Sequence, residues 1–293
     1  MPYAAVKVIR PLVRVSSRLS PRITGKLAFR LFCTPVGHAP VRADNPRIRA
    51  AQEVFAKARV GNVTSGCGYV RVARFEPEQG ARGTVILLHG WGGQGLFMAG
   101  FVEPLRSRGY RVLAVDLPGH GGSSGRQLTF PLAIEALSAV ARGEVPLAGI
   151  VGHSFGGAVA VAAAAGGVPA FAALPVRKIV TVAAPNAMQP YGKAFADMLG
   201  LTERGHAAFE GEVRNVAGRP MESFASDAYL ADLRVPTLLI HAPDDREIPY
   251  SDAQAMLAAG PHVSLRPAPG LGHRRILFDS GVQAAAAEFI AGE

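Results

Sequence analysis

The sequence predicts an α/β fold: a mostly parallel central sheet with helices on both faces, an inserted helical cap and an N-terminal helical extension. Three observations predict it. From about residue 68, short strand-like segments alternate with helix-like ones. Most of the strand-like segments are continuous apolar runs, the pattern of strands buried on both faces. The alternation is interrupted only between residues 185 and 234, while residues 1–67 follow a different, basic rhythm.

In the extension, Arg10, Arg14, Arg18, Arg22, Lys26 and Arg30 recur every fourth residue with apolar residues between them, as on a helix. Pro11 and Pro21 are expected to divide this stretch into short helices, because proline fits a first turn and breaks an interior. "CTPVGHAPVRADNP" reads as loop and "NPRIRAAQEVFAKARV" as a helix, with Asn45 as N-cap and Pro46 at the first helical position.

The domain expected over residues 68–293 opens with "YVRVARFE", which alternates like a half-buried strand, and "TVILLHG", a buried one. "FVEPLRSRG" is a helix closed by glycine, "YRVLAVD" a strand, "TFPLAIEALSAVARG" a helix, "LAGIVGHS" a strand, "GGAVAVAAAAGG" a helix and "RKIVTVAA" a strand. After the interruption come "VPTLLIHA" (strand), "DAQAMLAAG" (helix), "HVSLRPAP" (strand) and "DSGVQAAAAEFIAG" (helix). In such sheets ligands bind beyond the carboxyl ends of the strands.

Composition narrows the function classes. The 293 residues are 49% hydrophobic, enough for a large core, and no apolar run reaches the length of a membrane-spanning helix. Cys33 and Cys67 lack metal-ligand spacing and are too few for a disulfide scaffold. A reducing, cytoplasmic setting is therefore expected. The net charge of +9 is confined to the N-terminus: residues 1–60 hold 12 Lys and Arg against two acids, and the rest is nearly neutral. No nucleic-acid-binding signature and no interleaved aromatics accompany that charge, so nucleic acid is not an expected partner. The basic rhythm with apolar residues between fits either helices packed on the core or, over residues 1–32, peripheral contact with an anionic membrane. Oligomeric state is not legible.

Chemistry is concentrated at the strand ends. Gly152-His153-Ser154-Phe155-Gly156 fits G-x-S-x-G, and it lies between a predicted strand and a predicted helix, the context that makes such a serine a nucleophile. A serine hydroxyl needs a base at the same sheet edge. Of eight histidines, His262 precedes its strand, and His38 and His206 lie outside the alternating core. His89, His120, His153 and His241 sit in motifs with other work, which leaves His273, in "PGLGHRR". A buried carboxylate would orient that imidazole, and Asp244 or Asp245 in "HAPDDREIP" can supply it. Two backbone N–H groups would stabilise an oxyanion: that of Phe155, after the serine, and that of Trp91, in "HGWGG". That glycine-rich loop lacks the spacing and the lysine of a phosphate-binding loop.

"LLHGWGG", "VDLPGHGGSSG", "GHSFGG", "DDREIP" and "GLGH", in that order, make residues 68–293 resemble the α/β-hydrolase superfamily, in its serine esterase- and lipase-like branch. The resemblance implies Asp245 rather than Asp244 as the triad acid, since Asp245 matches D-x-x-[IV]-P. It also implies no metal and no organic cofactor. Serine at the elbow argues against the branches that use aspartate there. The expected activity is hydrolysis of a small-molecule carboxylic ester through an acyl-enzyme. A thioesterase, amidase, carbon–carbon bond hydrolase or perhydrolase would share the triad, and an inactive binding module would share the fold. The interrupting segment falls where this superfamily inserts a cap. It carries Met188, Tyr191, Phe195, Met198, Leu199, Phe209, Met221, Phe224 and Tyr229, which suit an apolar acyl or aromatic substrate.

Overall fold

The computed structural model describes residues 3–35, 45–66, 68–144 and 146–292. The expected loop over 33–46 lies mostly outside them, with His38, as does Cys67. Eight strands form one sheet: β1 (Arg59–Ser65), β2 (Gly68–Phe75), β3 (Thr84–Leu88), β4 (Arg111–Val115), β5 (Leu147–His153), β6 (Ile179–Val182), β7 (Thr237–His241) and β8 (Val263–Pro267). Their order is β1-β2-β4-β3-β5-β6-β7-β8, with β1, β2 and β4 paired antiparallel and all other pairs parallel. The helices are α1 (Tyr3–Leu19), α2 (Pro21–Phe32), α3 (Pro46–Phe55), α4 (Val102–Arg106), α5 (Phe130–Ala141) and α6 (Phe155–Ala164). They continue with α7 (Gln189–Leu199), α8 (Glu203–Ala217), α9 (Ser226–Asp232), α10 (Tyr250–Leu257), α11 (Gly272–Arg275) and α12 (Ser280–Ala291).

Successive side chains of a strand point to opposite faces, so apolar runs feed two cores. Ile86, Leu88, Leu113 and Ile150 pack with α5 and α6 on one face. Val85, Leu87, Val112 and Val151 pack with α4 and α12 on the other. A third cluster joins Ala28, Phe29 and Cys33 of the α2 segment to Leu199, Phe209, Val213 and Met221 of the cap region, with Ile9 and Val13 of α1 against it. The N-terminal helices are thus packed on α7 and α8 rather than set apart.

Three sequence expectations differ from the structure. The helix expected to run through residue 60 ends at Phe55, and Arg59–Ser65 forms the edge strand β1. Its exposed, polar-rich sequence has no buried run to announce it. The sheet therefore starts on the N-terminal side of the boundary drawn at residue 68. Pro11 does not end a helix: α1 continues through it. Pro11 is exposed, while Ile9 and Val13 on either side of it pack inward, so tertiary contacts carry the helix across the lost hydrogen bond.

Candidate active site

Strand register brings the site together. Leu88 of β3 pairs with Gly152 of β5, His153 with Val182 of β6, Val182 with Ile240 of β7, and His241 with Pro267 of β8. The loops that follow β3, β5, β7 and β8 therefore leave the sheet at one edge. The chain turns from β3 to β4 on one side and reaches β5 on the other, so β3 and β5 flank the point where strand order reverses.

Between β5 and α6 the backbone makes a strained elbow. Ser154 has φ 50° and ψ −123°, a conformation L-residues rarely adopt, which costs about 1–3 kcal/mol. Its N–H is held by the Val182 carbonyl at 2.9 Å. The flanking glycines are sterically required. A Cβ on Gly152 would lie 2.5 Å from the Gly156 carbonyl oxygen, and one on Gly156 would lie 2.6 Å from that of His89. A Cβ on Gly90 would come within 2.9 Å of the Ser154 Cβ, so the loop after β3 passes directly over the serine.

His273 and Asp245 meet as a buried pair: His273 Nδ1 lies 2.8 Å from Asp245 Oδ2, with side-chain exposures of 9% and 0%. Burial opposes the charge on Asp245. Hydrogen bonds from His273 and from the N–H groups of Ile248 and Glu247 outweigh it and hold the carboxyl below its usual range. A carboxylate accepts from an Nδ1–H, so this contact orients the ring with Nε2 turned away from Asp245. Asp244 instead accepts the Gly270 N–H at 2.7 Å and is exposed. Among the described residues Ser154 Oγ makes no hydrogen bond, so the serine–histidine contact is open in this structure while the histidine–aspartate contact is made.

The other histidines at this edge hold the scaffold. His89 Nε2 accepts the Leu117 N–H at 3.0 Å and its Nδ1 donates to the Gly90 carbonyl at 2.7 Å. His120 Nε2 accepts the Gly92 N–H at 3.0 Å. His241 Nε2 donates to the Ile248 carbonyl, and burial holds this imidazole's pKa down. His153 Nε2 donates to the His273 carbonyl at 3.0 Å. Burial, with the neighbouring His273 ring next, depresses His153 to about 3, so it is neutral. The N–H groups of Trp91 and Phe155 make no hydrogen bond among the described residues.

Above the elbow is a cavity of about 440 Å³ whose walls include Ser154, Trp91 and Phe155. One wall is a run of rings: Trp91 against Phe155 (5.7 Å between centroids), Phe155 against Phe130 (5.0 Å), Phe130 against Phe224 (4.8 Å). Of the cap residues singled out by sequence, Met188, Tyr191, Phe195, Met198, Met221 and Phe224 line it. Leu199 and Phe209 are buried against α2, and Tyr229 packs elsewhere, its hydroxyl donating to the Gly167 carbonyl. Sequence reading missed the opposite wall, which Phe29, Phe32 and Cys33 of the N-terminal segment supply. Their spacing of three and four residues on one helix face was the available signal. The Cys33 thiol, buried there, is pushed up to about 12. Among the described residues no group of three or more His, Cys, Asp or Glu is placed to hold a metal ion.

A model of the alpha/beta hydrolase family matches residues 85–288. The chain belongs to the α/β-hydrolase family. The hydrolase is 30% identical to the pimeloyl-[acyl-carrier protein] methyl ester esterase of Xanthomonas campestris pv. campestris (strain B100), over 66% of this chain and 88% of that one. It is 26% identical to the 2-hydroxy-6-oxononadienedioate/2-hydroxy-6-oxononatrienedioate hydrolase 2 of Pseudomonas putida, over 76% of this chain and 91% of that one. Among solved structures, carboxylesterase CesB of Bacillus subtilis superposes with a TM-score of 0.61 at 17% identity, covering 84% of this chain and 96% of that one. The chain is thus an esterase-like α/β hydrolase, with relatives named as esterases among those it matches.

Proposed function

We propose that this hydrolase cleaves carboxylic esters bearing an apolar acyl chain or an aromatic group, through an acyl-enzyme on Ser154. One observation carries the reading: the strained Ser154 opens into a mostly apolar cavity, and the buried His273–Asp245 pair stands in the loops that leave the same edge of the sheet. In the reaction, His273 Nε2 takes the Ser154 proton as Oγ attacks the ester carbonyl. The Ser154–His273 contact must close for this, as catalytic hydrogen bonds open in unliganded sites commonly do. The carbonyl oxygen turns toward the free N–H groups of Trp91 and Phe155, the latter at the N-terminus of α6, where the helix dipole favours negative charge. His273 then hands its proton to the departing alcohol, and water reverses the sequence to release the acid. Asp245 stabilises the imidazolium in both halves.

The Xanthomonas relative is named for a methyl ester of a carried acyl chain, and an extended chain suits a cavity walled by Phe32, Met188, Phe195 and Phe224. The test is a series of p-nitrophenyl esters of graded length, with thioester and anilide of the best acyl group alongside. The reading predicts that kcat/KM rises with chain length beyond acetate and that the ester outpaces the anilide. Turnover of none of the esters, or the anilide or thioester as the faster substrate, would overturn it.

A further inference from the structure

The structure leaves α1 and α2 with two faces of opposite fate. The inner face is locked onto the cap helices. Ser17 is fully buried, its Oγ accepting the Thr202 N–H at 3.0 Å and lying 2.8 Å from the Thr202 hydroxyl. Gly25 sits so close to α8 that a Cβ there would lie 2.7 Å from the Phe209 nitrogen. These helices are therefore already docked, and their outer side is not waiting to fold back on the core.

That outer side is apolar. Val8, Leu12, Val15 and Leu19 share one side of α1 by their spacing, and Ile23 and Leu27 continue the pattern on α2. All six are 55–82% exposed. They make up half of the twelve large apolar side chains exposed among the described residues. Exposed Arg14, Arg18, Arg22, Lys26 and Arg30 flank them, and none of the five forms an ion pair among the described residues. No Asp or Glu occurs before residue 44.

We infer that this face docks the enzyme on an anionic lipid surface. Charge selects that occupant. A second copy would set the exposed Arg14, Arg18, Arg22, Lys26 and Arg30 against the same five, with Glu212 of α8 the acid that borders them. A polyanion such as nucleic acid would be met by a polar basic face, whereas a row of Leu, Ile and Val is stabilised by entering the acyl boundary while the basic flank meets the headgroups. The position suits the site. Phe29, Phe32 and Cys33, on the inner side of α2, wall the cavity above Ser154, so the docked face lies about one helix diameter, roughly 10 Å, from it.

The proposal is tested without reference to catalysis, by co-sedimenting the full chain with vesicles of phosphatidylglycerol and phosphatidylcholine, or of phosphatidylcholine alone. Wild-type protein should sediment with the anionic vesicles, less at high salt, and not with the neutral ones. Leu12→Ser/Leu19→Ser/Ile23→Ser should weaken that binding about tenfold or more with the thermal melt unchanged, since all three side chains are exposed. Arg14→Gln/Arg18→Gln/Arg22→Gln should weaken it at low salt and erase the salt dependence. Failure of the wild type to bind anionic vesicles, or equal binding by the serine triple variant, would overturn the proposal. So would a concentration-dependent dimer that the serine substitutions abolish, which would give the face to a second copy. Vesicle-independent capture of an acidic carrier protein, lost in the arginine variant, would give it to that partner.

Discussion

The ring of His153 donates from Nε2 to the main-chain carbonyl of His273, 3.0 Å away, and the two imidazoles lie 4.9 Å apart, tilted by 46°. The residue before the serine thus anchors the backbone of the residue proposed to deprotonate it. Removing the anchor should act through His273. His153→Ala is expected to lower kcat about 10-fold to 100-fold with little change in KM, as small misplacements of catalytic groups do. His153→Gln, which keeps a donor, should recover part of the loss. Steady-state kinetics of the two variants on one ester check this.

His153 also sets an acid limit on stability. Its ordinary value of 6.5 falls to about 3 in the fold, so between those values the unfolded chain binds the proton and the folded chain does not. Stability is then present above pH 6.5 and declines as pH falls toward about 3, by a few kcal/mol at most. Asp245, held below its usual range, loses its contribution at lower pH, as its folded-state carboxyl is protonated. In His153→Gln the slope of stability against pH between 6 and 4 should flatten, as read by urea melts at each pH. An unchanged slope would place the acid sensitivity elsewhere.

The two adjacent aspartates separate cleanly. Asp245→Asn replaces the buried partner of His273 Nδ1 by an amide that can impose the wrong tautomer, a change that costs about 10⁴-fold in kcat in a serine protease. A loss of similar order is expected here. Asp244→Asn keeps an oxygen for the Gly270 N–H and should cost less than about tenfold. The reverse ranking would move the acid to Asp244.

The placement of the candidate residues was legible because register does the assembling: parallel strands align their carboxyl ends, and Ser154, Asp245 and His273 follow the ends of β5, β7 and β8. The elbow glycines were legible for a related reason, since Gly152 and Gly156 leave no space for a Cβ. Strand β1 was not, because an exposed edge strand has only Val60 and Val63 to mark it. Nor was the α2 wall. Helical spacing put Phe29, Phe32 and Cys33 on one face, but only the third cluster reveals that this face turns to the cap.

The α2 wall makes chain-length preference depend on the N-terminal segment. Phe32, whose ring packs at 5.1 Å from Phe195 and 5.5 Å from Phe209, borders the cavity. Phe32→Ala should shift the preferred ester toward longer acyl chains. It should also cost about 3 kcal/mol of stability at most, as partly buried aromatic truncations do. Deleting residues 1–34 should expose Phe209 and Val213 and yield an aggregating or molten protein, seen by light scattering.

The proposed reaction stands or falls with Ser154 as the activated nucleophile. Labelling the intact protein with a fluorophosphonate, followed by peptide mapping, tests it most directly. One modified residue, Ser154, is expected, with no label on Ser154→Ala and labelling of His273→Ala slowed by orders of magnitude while both variants melt as folded proteins. Undiminished labelling of Ser154→Ala, or no labelling of the wild type, would contradict it.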